Sequence, residues 1–374
     1  MFLRDLFVSS TDHSTRCLAL ALVFWFSVTA GIKPSLAETP VSAVEDGGGG
    51  AVAMSAACTG YWVVSTNGLP QSFDGETLRF CPRVTRVPCG CRPRTASFPE
   101  LCRSLIPGVP VCIYVHGSFV GPREVQSQSR QTNQWLRSAS RGEPMQMINF
   151  AWPSSRPFLI PTIKLDVNLL GRRAARNGWY LAELICCIPS DCPVCLIGHS
   201  HGSRVVASAL HLMGGGAVQG VTHRRARATG RLIRTVLAAS AIRHDWLNPD
   251  ERYGRALCAA SCVLNLRNTH DHALMLYPLR HPFSGHSLGT TGFTRRDRKS
   301  LRGWSPKVQD HDVTQLIGFG HMWPRYVQQQ RLAWLIRNFV YFPDVQQGRR
   351  VSAVAPTGLE RHEDYQLESV DQPG

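Results

Sequence analysis

Gly198-His199-Ser200-His201-Gly202 is the stretch of this chain best suited to covalent chemistry. A serine hydroxyl becomes a useful nucleophile when a sharp turn presents it beside a base, and the Gly-x-Ser-x-Gly spacing can build such a turn. The flanks agree. Val194-Cys195-Leu196-Ile197 predicts a short buried strand running in, and Ser203 to Leu210 has helical spacing running out. The flanking glycines leave room for strand and helix to cross closely. A second match, Gly285-His286-Ser287-Leu288-Gly289, lacks this context. It follows Arg280-His281-Pro282-Phe283-Ser284, where the proline and the polar flanks argue against a buried strand. Thr290 to Phe293 is a poor helix start, so the second match is expected in a loop, with Ser287 noncatalytic.

The elements that must position Ser200 can be followed along the chain. Strands are expected at Tyr61 to Thr66, Val109 to Val115, Met145 to Ala151, Val194 to Ile197 leading into the elbow turn at Ser200, Leu232 to Ala239, Cys262 to Leu266 and Val313 to Phe319. Helices are expected at Ser97 to Leu105, Arg123 to Ala139, Asp166 to Cys187, after the elbow, at Asp250 to Ala260 and at Arg325 to Val340. A Pro- and Cys-rich stretch follows the first strand to about Pro99, and a polar insert of roughly forty residues precedes the last strand. From Val109 onward strands alternate with helices. That order predicts an α/β fold with a mostly parallel central sheet flanked by helices on both faces.

Composition sets the outer limits. The chain has 374 residues, 43% of them apolar, enough for a sizeable core. Its net charge of +15 comes from arginine, since Lys33, Lys164, Lys299 and Lys307 are the only lysines. The basic runs at 224–234 and 295–302 carry no interleaved aromatics and no nucleic-acid motif, so solvated loops explain them and no nucleic-acid partner is expected. Cys17 to Ile32 is an uncharged apolar run ending before Ser35-Leu36-Ala37. Residues 1–37 are therefore expected to be a signal peptide or an uncleaved membrane anchor, and the protein to be exported. Residues 38–57 are expected to be a flexible Gly-rich linker and 344–374 a disordered tail, with the folded domain at 58–343. The chain has thirteen cysteines, and twelve follow Cys17, an even number that suits disulfides or buried thiols; no zinc-finger spacing is present.

Val115-His116-Gly117, Trp152-Pro153, the Ser200 elbow, Asn265 through Asp271-His272-Ala273-Leu274, and Gly320-His321 together resemble the α/β-hydrolase superfamily. The likeness is to a bacterial group of hydrolase-like proteins of mostly unassigned function and covers about residues 60 to 342. It implies a catalytic order of serine, acid, histidine. Ser200 would be the nucleophile, Asp271 the acid just past the strand at 262–266, and His321 the base after the last strand. Asp245 and His311 are the alternatives. The oxyanion donors would be the backbone N–H of His201 and that of Ser118 or Phe119. His116 is expected to be structural.

The His/Asp clusters at 270–272 and 310–312 could be metal ligands, but neighbours on a strand face opposite sides and the triad needs no metal. No cofactor or metal is expected. The implied activity is cleavage of an ester-type bond in a small or lipid-like substrate through an acyl-enzyme. An inactive binding protein of the same fold and an acyltransferase using the same triad are the competing readings. Membrane association would run through residues 17–32.

Overall fold

A computed structural model describes residues 60–71, 78–155, 163–223, 230–280 and 285–346. The expected signal, the whole of the linker, and the tail beyond residue 346 lie outside the described residues. Among the described residues no helix is long and apolar enough to cross a membrane.

In chain order the elements are β1 (Tyr61–Ser65), β2 (Arg83–Val87), β3 (Arg94–Ala96), α1 (Phe98–Ser104), β4 (Val111–Val115), α2 (Pro122–Arg137), β5 (Gln146–Ala151) and α3 (Ile163–Cys187). Then come β6 (Val194–His199), α4 (His201–Met213), the small ribbon β7 (Ala217–Val218) with β8 (Val221–Thr222), β9 (Ile233–Ala238), α5 (Ala256–Ala259) and β10 (Cys262–Arg267). The last part holds α6 (His272–Met275), α7 (Leu288–Thr291), α8 (Arg295–Leu301), β11 (Val308–Asp312), α9 (Thr314–Ile317), α10 (Trp323–Val327) and α11 (Gln330–Tyr341), followed by a final turn at Pro343–Gln346.

Nine strands form one sheet in the order β11-β10-β9-β6-β4-β5-β1-β2-β3. All neighbours from β11 to β1 are parallel, and β2 and β3 add an antiparallel ribbon at one edge. The central strands are buried on both faces, which is why they are nearly continuous apolar runs. Val111, Ile113, Val194 and Leu196 pack with α3 and α4 on one face. Tyr114, Met147, Ile197 and Val236 pack with α2, α10 and α11 on the other. The α3–α4 crossing is close: a Cβ on Gly178 would lie 2.3 Å from Ser208 Oγ, which donates to the Ala175 carbonyl at 2.6 Å.

The chain leaves β4 for β5 on one side and leaves β6 for β9 on the other. The carboxyl ends of β4 and β6 therefore flank a topological switch point, the place where open α/β sheets form a crevice. His116-Gly117 and Ser200 stand at those two ends.

Several expectations need correction. The stretch before Pro99 contains β2 and β3; Pro88 and Pro93 lie in the connection between them, so neither breaks a ladder. The helix expected over 250–260 shrinks to α5. Asp250 has φ 67°, and Gly254 lies so close to the Asn248 carbonyl that a Cβ would sit 2.6 Å from it, so this segment is a series of turns. The last strand is Val308–Asp312, not 313–319. As an edge strand it pairs on one side only and tolerates Gln309, Asp310, His311 and Asp312, while Asp312 Oδ1 accepts the Thr314 N–H at 2.9 Å and starts α9. The closing helix is two helices, α10 and α11, and Trp135 Nε1 donates to the Gln329 carbonyl at the break, at 3.0 Å. The second Gly-x-Ser-x-Gly match does start a helical turn, α7. Ser287 caps it, with its buried hydroxyl taken up by Thr290.

Cys89 is disulfide-bonded. Cys102 and Cys187 share a side-chain hydrogen bond, and Cys112 and Cys195 face each other in register on β4 and β6. None of those four is disulfide-bonded.

Candidate active site

Ser200 joins β6 to α4 with φ 53° and ψ −122°. A non-glycine residue held there costs about 1–3 kcal/mol, so the surroundings must enforce it. They do so through the backbone. Ser200 N–H donates to the Ala238 carbonyl at 2.9 Å, and the Ser200 carbonyl accepts from Ser203 at 3.0 Å and Ala241 at 3.3 Å. The motif glycines are required by space. A Cβ at 202 would lie 2.2 Å from the Val115 carbonyl oxygen, and one at 198 would lie 2.7 Å from Ser203 Cα.

The structure brings Ser200, His321 and Asp271 together. His321 Nε2 lies 2.9 Å from Ser200 Oγ. Its Nδ1 lies 2.8 and 3.0 Å from the two Asp271 carboxylate oxygens. A carboxylate accepts, so Nδ1 carries the ring proton and Nε2 is left to accept from the serine hydroxyl. Asp271 is fully buried, and its Oδ1 also accepts the Leu274 N–H at 3.0 Å, capping α6. Asn268 Nδ2 donates to the carbonyls of Gly318 and Gly320 at 2.8 and 3.2 Å. That amide ties the loop bearing His321 to the loop bearing Asp271.

Two further histidines serve as neutral struts. His199 Nε2–H donates to the His321 carbonyl at 2.7 Å, and its ring lies 5.5 Å from that of Trp323. Burial, and then the neighbouring His321, take the His199 imidazole down to about 3. His116 Nδ1–H donates to the Gly117 carbonyl at 2.9 Å, while Nε2 accepts the Trp152 N–H at 3.3 Å. Trp152 Nε1 returns a hydrogen bond to the His116 carbonyl at 2.8 Å. Burial takes His116 down to about 4. Its ring is thus committed to holding the β4 and β5 ends in register. Asn268 was not singled out from sequence, and His199 entered only as a spacer of the Ser200 motif; the signal for each was its place, just past β10 and beside Ser200.

The donors expected around the oxyanion divide. His201 opens α4, where helix N–H groups and the helix dipole favour negative charge. Ser118 is fixed to it: the Ser118 hydroxyl and His201 Nδ1 are 2.5 Å apart. Ser118 N–H donates to no group among the described residues. Phe119 drops out. Its backbone is left-handed, φ 61°, and its N–H is turned onto the Ser154 carbonyl at 2.7 Å.

The alternatives sit elsewhere. Asp245 pairs with Arg243 at 2.5 Å, and His311 is exposed on the edge strand β11. Asp310 accepts from Asn265, Phe293 N–H and Arg298. Among the described residues no three His, Cys, Asp or Glu side chains gather as a metal site requires. Phe319 is 65% exposed, and Met322, Met275 and Leu276 are also exposed, in the chain segments that carry His321 and Asp271. The chain matches no protein-family model, and no curated protein is significantly similar to it.

Proposed function

We propose that this protein is a serine hydrolase of the α/β-hydrolase type that cleaves an ester-type acyl bond. One observation carries the reading: a serine on a strained strand-to-helix elbow lies 2.9 Å from an imidazole whose other nitrogen meets a buried carboxylate. Ser200 Oγ attacks the carbonyl carbon while its proton passes to His321 Nε2. Asp271 holds the imidazole in its tautomer and stabilises the imidazolium that forms. The oxygen of the tetrahedral intermediate is stabilised at the α4 N-terminus by the His201 N–H, with Ser118 N–H as the second donor. His321 then protonates the leaving alkoxide. Water, deprotonated by the same nitrogen, cleaves the acyl-enzyme. Esters are favoured because an alkoxide leaves more readily than an amine. The exposed Phe319, Met322, Met275 and Leu276 favour a substrate with an apolar portion.

The test is labelling of the purified protein with a fluorophosphonate probe, beside Ser200→Ala and Ser287→Ala. Labelling should vanish in Ser200→Ala and persist in Ser287→Ala. A folded wild-type protein that does not label would move the reading to a binding protein of this fold.

A further inference from the structure

A cavity of about 1120 Å³, lined by neither Ser200, His321 nor Asp271, opens between the face of α2 and the turn joining β2 to β3. Arg123, Arg130 and Arg137 line it. They recur every seventh residue, so they form one stripe along α2 with successive side chains about 10.5 Å apart. No Asp or Glu lines the cavity among the described residues. Its remaining α2 lining is amide and hydroxyl, including Gln126, Ser127 and Gln134.

Some arginines of the molecule are neutralised by carboxylates, such as Arg234 by Asp344, Arg267 by Asp312 and Arg298 by Asp310. Arg137 is committed to structure, donating to Asn133 and to the Met145 carbonyl. Arg123 and Arg130 are exposed and make no ion pair or hydrogen bond among the described residues. Two free guanidiniums facing a concave surface without opposing carboxylates raise the local positive potential and attract anions.

The walls narrow the anion's chemistry. Among the described residues Tyr61 is the one aromatic in the lining and is only 7% exposed, so they offer no platform for stacking nucleobases. None of the large exposed apolar side chains of the described residues lines the cavity, so nothing there would anchor in a bilayer. Amides and hydroxyls beside spaced guanidiniums suit a hydroxyl-rich ligand with spaced negative groups.

We propose that this groove binds a linear acidic polysaccharide, with carboxylate or sulfate groups about one disaccharide apart set against Arg123 and Arg130. The site is independent of Ser200 and does not rest on the hydrolase reading.

The experiment is calorimetric titration of the full chain with oligosaccharides of alternating uronate and N-acetylhexosamine. Sulfated and unsulfated forms, uncharged dextran of equal length and single-stranded DNA are run beside them. The Arg123→Ala/Arg130→Ala protein should bind the acidic oligosaccharide at least about tenfold more weakly, as loss of two charge-assisted contacts implies. Arg295→Ala/Arg296→Ala, which removes the same charge from exposed positions on α8, should change binding less than about twofold at 0.15 M salt. A larger loss for the sulfated form would assign sulfate as the recognised group, and an equal loss the carboxylate. Fluorophosphonate labelling of the Arg123→Ala/Arg130→Ala protein should match wild type. Equal weakening by both double variants, equal binding of dextran, tighter binding of the DNA, or no binding of any acidic oligosaccharide would overturn the proposal.

Discussion

At the scale of single residues, the state of the His321 ring is decided by its two neighbours. Asp271 occupies Nδ1, so the only nitrogen open to Ser200 is Nε2. Asp271→Asn keeps the size and the cap on α6, but an amide can donate to Nδ1 and thereby favour the wrong tautomer. On the proposed function, ester turnover should fall about 10⁴-fold with KM changed little. Steady-state kinetics on a short-chain aryl ester checks this, with circular dichroism to show an intact fold. Turnover within tenfold of wild type would remove Asp271 from the reaction. The serine and the triad types were legible from the sequence, because Gly198 and Gly202 bracket Ser200 between a strand and a helix. The chain order of serine, acid and histidine and the choice of Asp271 over Asp245 drew on a resemblance; the folded loops bring Asp271 and His321 together, while Asp245 and His311 sit elsewhere. The Phe119 expectation failed because backbone direction in a tight loop has no sequence signal; φ 61° at Phe119 sends its N–H to Ser154.

At the scale of elements, the elbow depends on how closely α4 passes the end of β4. Gly202 faces the Val115 and His116 carbonyls, and a methyl there would lie 2.2 and 2.6 Å from them. Neither obstacle is a flexible side chain, so the helix must move. Gly202→Ala should lower stability by about 3 kcal/mol, near the upper range for overpacking. It should also displace Ser200 enough to abolish labelling. Urea denaturation and fluorophosphonate reaction measure the two effects. Unchanged stability would contradict the close crossing. The elements whose boundaries moved share a cause. β11 carries polar residues because it is an edge, and 250–255 is coiled by the Asn248–Gly254 contact, so apolar periodicity was the wrong guide in both places.

At the scale of the whole molecule, burial of neutral histidines makes stability depend on pH. His116 is taken from 6.5 to about 4 and His199 from 6.5 to about 3. The unfolded chain therefore takes up these protons first as the solution is acidified. Their contribution is complete above about pH 6.5 and is lost as pH falls through that window toward 4 and 3, each by up to about 1.4 kcal/mol per pH unit. Urea midpoints should fall steadily from pH 6.5 to 4, and His116→Asn should make that fall shallower. A midpoint that is flat with pH in the wild type would show that these rings are not held neutral by the fold.

The sequence alone determined the alternation of strands and helices, the elbow around Ser200 and the burial of the central strands. Each of these is written in local spacing: apolar runs, glycines beside a serine, helical periodicity. Only the tertiary structure decided which aspartate meets which histidine, because 121 residues separate Ser200 from His321 and 50 separate His321 from Asp271. The same holds for the switch point between β4 and β6, and for the groove that sets Arg123 and Arg130 opposite the β2–β3 turn. Strand order is a property of the assembled sheet, and residues distant in the chain reveal their partnership only when that sheet forms.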